Sequence, residues 1–185
     1  MRVGILAVQG AFIEHERAME RLGIETVEIR QKKDLASIDG LILPGGESTV
    51  QGKLLGKLGM MDELRTMIVN GLPVLATCAG LILLAEKIEG YEHGYLSTMP
   101  ISVVRNAYGR QLGSFECEGD FRGIGRIPMV FIRAPYIKEA GEGTEVLSEV
   151  DGRIVAARSG NQIALSFHPE LTDSLEVHRY FASLM

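Results

Sequence analysis

The sequence predicts an α/β protein: an open, three-layer, mostly parallel sheet with a partly antiparallel extension. Three observations carry this. Short apolar runs have the near-continuous character of strands buried on both faces. Stretches of helical periodicity separate them, the alternation that builds a parallel sheet. The 22 glycines of the 185-residue chain stand singly or in pairs at the junctions, where tight connections are needed.

In chain order, "RVGILAV" (2–8) reads as the first strand. "GAFIEHERAMERLG" (10–23) follows as a helix, with Phe12, His15, Met19 and Leu22 on one face and Gly23 at its stop. "IETVEIR" (24–30) alternates like a strand, and "GLILPGG" (40–46) is a third strand running into a glycine turn. "DELRTMIVNG" (62–71) reads as a helix, "PVLAT" (73–77) as a strand and "AGLILLAEKI" (79–88) as a helix. The second half changes style. "ISVVRN", "QLGSFECEG", "IPMVFIRAP" and the run from Thr144 to Glu170 are strand-like pieces, with a hairpin around Asp151-Gly152. "SLEVHRYFASL" (174–184) closes as an amphipathic helix. The length, without repeats or a linker, suggests one domain over residues 1–185.

Net charge is −5, and no basic run exceeds "QKKD", which argues against nucleic acid and anionic membranes as partners. No segment approaches the ~18 continuous apolar residues of a membrane helix, and the N-terminus reads as a strand rather than a signal sequence. Cys78 and Cys117 have no metal-like spacing, so a reducing, cytoplasmic setting is expected.

Cys78 stands between a strand and a helix. In an open α/β sheet that position lies at the carboxyl edge, where ligands bind. A sharp turn there projects the side chain outward, as at a nucleophile elbow, beside the free N–H groups of the helix's first turn, which favour a thiolate. Small neighbours Ala76, Ala79 and Gly80 suit a crowded elbow, although Ala76 replaces the first Gly of the usual G-x-C-x-G form. The competing reading is a buried cysteine packing as a small hydrophobe.

A cysteine nucleophile needs a base and an orienter. "SFHPE" offers both: His168 at a strand end, and Glu170 two residues on, expected on the same side of an extended segment that Pro169 helps to maintain. The alternative there is a surface turn with an incidental ion pair. "LPGGES" (43–48) ends a strand in a loop whose N–H groups, with that of Ala79, could hold an oxyanion. The plainer alternative is a glycine turn before a helix capped by Ser48. His15 reads as a core or interface residue and His93 as solvated. His178 has no evident partner, and Cys117 packs. Arg105 and Arg133 follow strands and suit a carboxylate clamp, against a default of surface ion pairs.

Together these residues resemble the triad (class I) glutamine amidotransferases, whose fold is flavodoxin-like. More narrowly the chain is similar to the glutaminase subunits of pyridoxal 5′-phosphate synthase. The resemblance runs nearly the whole length, through "GILAVQGAFIEH" (4–15), "LILPGGEST" (41–49), "TCAGLILLA" (77–85), "RNAYGRQLGSFE" (105–116), "FIRAP" (131–135) and "SFHPELT" (166–172). The fourth and fifth separate this family from its relatives. The resemblance implies Cys78 as nucleophile, with His168 and Glu170 as its relay. It implies Gly46 and Ala79 at the oxyanion, and Gly46, Glu47, Ser48, Arg105, Ile132 and Arg133 around L-glutamine. Gln9 and Gly10 would lie on the side facing a separate synthase subunit, in a hetero-oligomeric complex. That subunit would use the ammonia, with a pentose phosphate and a triose phosphate, to make pyridoxal 5′-phosphate. The glutaminase needs no cofactor of its own. The rival expectations are a glutaminase serving an imidazole or purine precursor, a cysteine hydrolase of other amides, and a non-catalytic module.

Overall fold

The computed structural model describes residues 1–105 and 113–185. The motif segment after Arg105 that sets the family apart, residues 106–112, therefore lies outside the described residues. Among the described residues no helix is long and apolar enough to cross a membrane.

Five strands form the parallel half of the main sheet. They are β1 (Arg2–Leu6), β2 (Glu25–Ile29), β3 (Gly40–Leu43), β4 (Val74–Thr77) and β12 (Gln162–Leu165), in the order β2-β1-β3-β4-β12. All four pairings are parallel. Their near-continuous apolar sequences are explained by burial on both sides: β3 and β4 are buried at every residue. Alternation then sorts the side chains. Leu41, Leu43, Val74 and Ala76 enter one core, whereas Ile42 and Leu75 enter the other.

The first core is covered by α2 (Ser48–Lys57), α3 (Met61–Val69) and α4 (Ala79–Leu84), through Leu55, Leu64, Ile68 and Leu81. The second is covered by α1 (Phe12–Arg21) and α5 (Glu176–Ala182), through Met19, Val177 and Phe181. These are the outer layers of the expected three.

Beyond β12 the sheet turns antiparallel. β11 (Arg153–Ser159) pairs with β12, β9 (Tyr136–Ala140) and β10 (Thr144–Val150), all antiparallel. The β10–β11 turn is the expected hairpin, with Val150 opposite Arg153. β9 also pairs antiparallel with β6 (Met99–Val104), and β7 (Ser114–Phe121) with β8 (Gly125–Ile132) makes a separate hairpin. Phe121, Met129 and Phe131 of that hairpin enter the second core.

One expected element is different. The helix read over 79–88 ends at Leu84, and β5 (Ala85–Ile88) continues as a strand parallel to β6. The spacing of Leu81, Leu84 and Ile88 (i, i+3, i+7) is helical, so the pattern alone favours the longer helix. Tertiary bonds decide against it: Leu96 N–H donates to Leu83 O at 2.9 Å and Thr98 N–H to Leu84 O at 2.9 Å, satisfying the carbonyls that a longer helix would have used itself. The capping role that the plainer alternative gave Ser48 is not seen: Ser48 is the first residue of α2, with Glu47 before it.

The start of α4 lies unusually close to β3. A Cβ on Gly80 would meet the Leu43 carbonyl oxygen at 2.1 Å. Because that oxygen belongs to a central strand, Gly80→Ala is expected to destabilise the fold by roughly 1–3 kcal/mol, the usual range for overpacking. Urea titration would show it as a lower midpoint with an unchanged slope.

Candidate active site

The sheet order brings together loops far apart in sequence. Those after β1, β3, β4 and β12 leave the carboxyl ends of successive strands beside the switch point, where β1 has neighbours on both sides. Between them lies a cleft of about 390 Å³.

Cys78 occupies the turn from β4 to α4 with φ 47° and ψ −97°. This left-handed backbone is costly for a residue with a Cβ and persists only where the surroundings enforce it. Two of those constraints are visible. Cys78 N–H donates to Leu165 O at 2.8 Å, tying the turn to β12, and Gly80 lets α4 start against β3. The thiol is 8% exposed and lines the cleft. The elbow geometry expected from the small neighbours is present, with Ala76 in place of Gly, buried between Leu43 and Ala164. α4 is only six residues long.

The imidazole of the cleft is His168. It follows β12, lines the same cleft as Cys78 and interacts electrostatically with that side chain. Its Nδ1 is 2.7 Å from Glu170 Oε1. The local route to this contact differs from the expected extended segment: residues Pro169–Leu171 form a single 3₁₀ turn with proline at its start. His168 itself stays non-helical, at φ −111° and ψ 87°, as the following proline requires. Burial alone would push the His168 imidazolium below its ordinary value. The interactions with Cys78 and Glu170 reverse this and lift it to about 10. Burial likewise pushes the Glu170 carboxyl up, and His15 and His168 outweigh it to hold the group below the usual carboxylate range. Gly45 makes room for the ring, since a Cβ there would stand 2.3 Å from His168 Cε1.

The cleft collects every residue assigned to catalysis or to glutamine except Glu170, which is buried behind His168. Gly46, Glu47 and Ser48 arrive on the loop after β3, Arg105 after β6, and Ile132 and Arg133 from the end of β8. Arg105 is paired: Nη2 donates to Glu47 Oε1 at 3.1 Å, and the guanidinium lies over the Tyr91 ring. Arg133, like Cys78, has a positive φ, 45°. Gln9 and Gly10, assigned to a partner-facing side, also brace the site. Gln9 Oε1 accepts the Glu47 N–H at 2.8 Å, and Gly10 lines the cleft. The Gly45 carbonyl accepts the Ala11 N–H at 3.0 Å. In the trans peptide that follows, the Gly46 N–H must point the other way.

Sequence reasoning missed the groups behind the cleft. Thr77 Oγ1 accepts the Gly45 N–H at 3.0 Å and lies 3.2 Å from His15 Nε2. His15 is buried, as read, but polar rather than merely packed, and the partner that His178 lacked in the sequence is His15. The histidine on the apolar face of the first helix was the available signal. His93 is exposed, and Cys117 packs half-buried against the second core. Among the described residues no cluster of metal-ligating side chains occurs.

The model of the SNO glutamine amidotransferase family matches residues 5–185. The chain belongs to this family. All the loops that line the cleft fall inside the family match. Among similar proteins, the pyridoxal 5′-phosphate synthase subunit PdxT of Desulfitobacterium hafniense (strain Y51) is 59% identical over 182 residues, 98% of this chain and 92% of that protein. The PdxT subunit of Methanocorpusculum labreanum is 60% identical over 186 residues, 100% of this chain and 98% of that one. A crystal structure of a glutamine amidotransferase superposes with a TM-score of 0.95 at 48% identity, covering 98% of this chain and 97% of that chain. The amidotransferase fold expected from the sequence is therefore the fold of the family.

Proposed function

We propose that the chain, as a single domain over residues 1–185, hydrolyses L-glutamine and supplies ammonia to a separate synthase subunit. That subunit makes pyridoxal 5′-phosphate from a pentose phosphate and a triose phosphate. The observation that carries this reading is the convergence of Cys78, His168 and the Gly46 loop on one cleft, with Glu170 2.7 Å behind the imidazole. Relatives at 59–60% identity bear the name of pyridoxal 5′-phosphate synthase subunits, which supports this acceptor over an imidazole or purine precursor.

The chemistry follows from the groups present. Glutamine enters with its α-carboxylate toward Arg105 and Arg133 and its α-ammonium toward Glu47, so binding exchanges the Arg105–Glu47 pair for two substrate contacts. The Cys78 thiolate attacks the side-chain amide carbon, and the N–H groups of Gly46 and Ala79 receive the oxyanion. The His168 imidazolium gives its proton to the departing nitrogen, which leaves as ammonia. His168 then takes a proton from water, whose oxygen attacks the thioester, and glutamate leaves as the thiolate is restored. Glutamine and water thus become glutamate and ammonia, with no cofactor needed.

Gln9 and Gly10 form part of the proposed synthase-facing rim. Ile132 and Leu171 line the cleft while 39% and 43% exposed, and Ile13 on α1 is 44% exposed. Apolar side chains at a cleft mouth fit a surface that a partner covers. Two free cysteines suit a cytoplasmic setting. The test is to incubate the chain with a glutamine-analogue electrophile, with and without the synthase subunit, and to map the adduct while glutamate and ammonia are assayed. Labelling of Cys78, enhanced by the synthase, is expected. An unlabelled Cys78 in the complex overturns the proposal.

A further inference from the structure

Behind the triad lies a pair of histidines that the mechanism above does not use. His15 on α1 and His178 on α5 are fully buried. Their rings meet, with His15 Nδ1 2.9 Å from His178 Nε2. On its other edge, His15 Nε2 stands 3.2 Å from Thr77 Oγ1 and 3.4 Å from Glu170 Oε2. The Glu170 oxygen is buried and accepts no formed hydrogen bond.

Two buried imidazoles in place of apolar rings carry a desolvation cost, so a polar role must offset it. The proton pattern identifies that role. Burial lowers both histidines, His178 to about 3, so both rings are neutral and each carries one N–H. A carboxylate oxygen only accepts, so the proton of His15 sits on Nε2, toward Glu170. His15 Nδ1 then accepts the Nε2–H of His178. This leaves His178 Nδ1 as a bare acceptor, and it is the ring nitrogen that stands buried without a partner. The opposite tautomers would let His15 Nε2 accept from the Thr77 hydroxyl, but would set that lone pair 3.4 Å from Glu170 Oε2 and leave this buried carboxylate oxygen facing no donor.

We propose that His15, backed by His178, is a positioning residue whose Nε2–H holds the Oε2 edge of Glu170 and so keeps Oε1 aimed at His168. This rests on the glutaminase reading above. Several ionisable or polar groups face Glu170. They are His15 from α1, His178 from α5, and His168 on its own segment; Thr77 from β4 and Glu14 from α1 act on His15, and Glu14, Arg17, Arg21 and Asp173 line the hollow outside.

The experiment compares His15→Leu with His15→Gln in the full chain with its synthase subunit. Glutamine retains a donor for Glu170 and an acceptor for His178. His15→Leu is expected to lower kcat about tenfold, a small part of the roughly 10⁴-fold that losing the function of a triad carboxylate costs. KM should be unchanged, and the alkaline limb of the kcat profile should move to lower pH as His168 loses support. His15→Gln should restore both. Equal losses in the two variants, with unmoved limbs, would make His15 a packing residue and overturn the proposal. Should the variants not fold, ¹⁵N spectra of the wild-type histidines decide. Neutral Nε2–H tautomers at His15 and His178 are expected, and a charged or Nδ1–H His15 overturns the assignment. The spectra need no turnover, so an inactive wild type would sink the glutaminase reading while leaving the tautomer result to stand on its own.

Discussion

Cys78→Ala is expected to lower glutamine hydrolysis by about 10⁴-fold or more, the scale on which removing a nucleophile acts, while the fold and synthase docking persist. The side chain faces the cleft, and its one further polar contact is a weak one, Sγ to Ile132 O at 3.9 Å. The elbow itself is held by the backbone, through Cys78 N–H on Leu165 O and the close approach at Gly80, neither of which needs the sulfur. A second consequence is measurable without substrate. Burial opposes the His168 imidazolium, and the interaction with Cys78 is the first of those that lift it to about 10. Without the Cys78 side chain its midpoint should fall, as proton NMR of the ring would report. The linkage sign follows. A raised histidine stabilises the fold fully below its ordinary value, and that contribution is lost as pH rises through about 10. In Cys78→Ala the alkaline loss of stability should begin at lower pH. Retained hydrolysis would mean that the nucleophile lies elsewhere, and loss of docking would give the elbow a structural role only.

The parallel half of the fold was legible because its strands are buried on both faces. "GLIL" and "VLAT" have no polar residue facing solvent, so they could be nothing but central strands between glycine turns. The proposed triad was legible for a related reason. Cys78 and His168 each follow such a strand, and neighbouring parallel strands end on one edge, so two separate motifs met without any knowledge of the strand order. What escaped depended on tertiary partners. Residues 85–88 continue a helical spacing, with Ala85 and Ile88 buried and the two between exposed, and pairing with β6 overrides it through a register shift between Ala85 and Lys87. The turn at Pro169 brings Glu170 to His168 by a 3₁₀ bend that the i, i+2 argument did not foresee. His15 and His178 lie at opposite ends of the chain, and nothing local to either announces the other. A histidine on an apolar helix face marks a buried polar partner without naming it.

Function depends on how few of these groups are rigidly local. The loop after β3 is tied to β4 through Thr77 and to the loop after β1 through Gln9 and Ala11. The proposed oxyanion donors at Gly46 and Ala79 therefore follow adjacent paired strands, β3 and β4. Preorganisation of this kind puts the donors in place before charge develops.

Glu170→Gln should cost nearly as much activity as loss of the nucleophile, about 10⁴-fold in kcat, as for a triad carboxylate replaced by its amide. The reason is directional. Glu170 offers acceptors on both sides: Oε1 to His168 Nδ1 at 2.7 Å and Oε2 toward His15 Nε2 at 3.4 Å. An amide has one acceptor and one donor. If its oxygen faces His168, its NH₂ meets the His15 N–H, and relieving that clash forces both His15 and His178 to change tautomer. If its NH₂ faces His168, the imidazole must accept at Nδ1 and carry its proton on Nε2, the nitrogen that has to take the thiol proton. Either arrangement weakens the thiolate–imidazolium pair. The stability profile should change with it. The wild-type carboxyl, held low, stabilises the fold above its ordinary value, and that contribution is lost as pH falls through its depressed one. The acid edge of the dependence should thus flatten in the variant, and the alkaline edge should move down as His168 loses its second support. Thermal melts across pH 3–10 test both edges. A variant with wild-type kcat, or one whose melting profile keeps both edges, would mean that Glu170 does not govern His168.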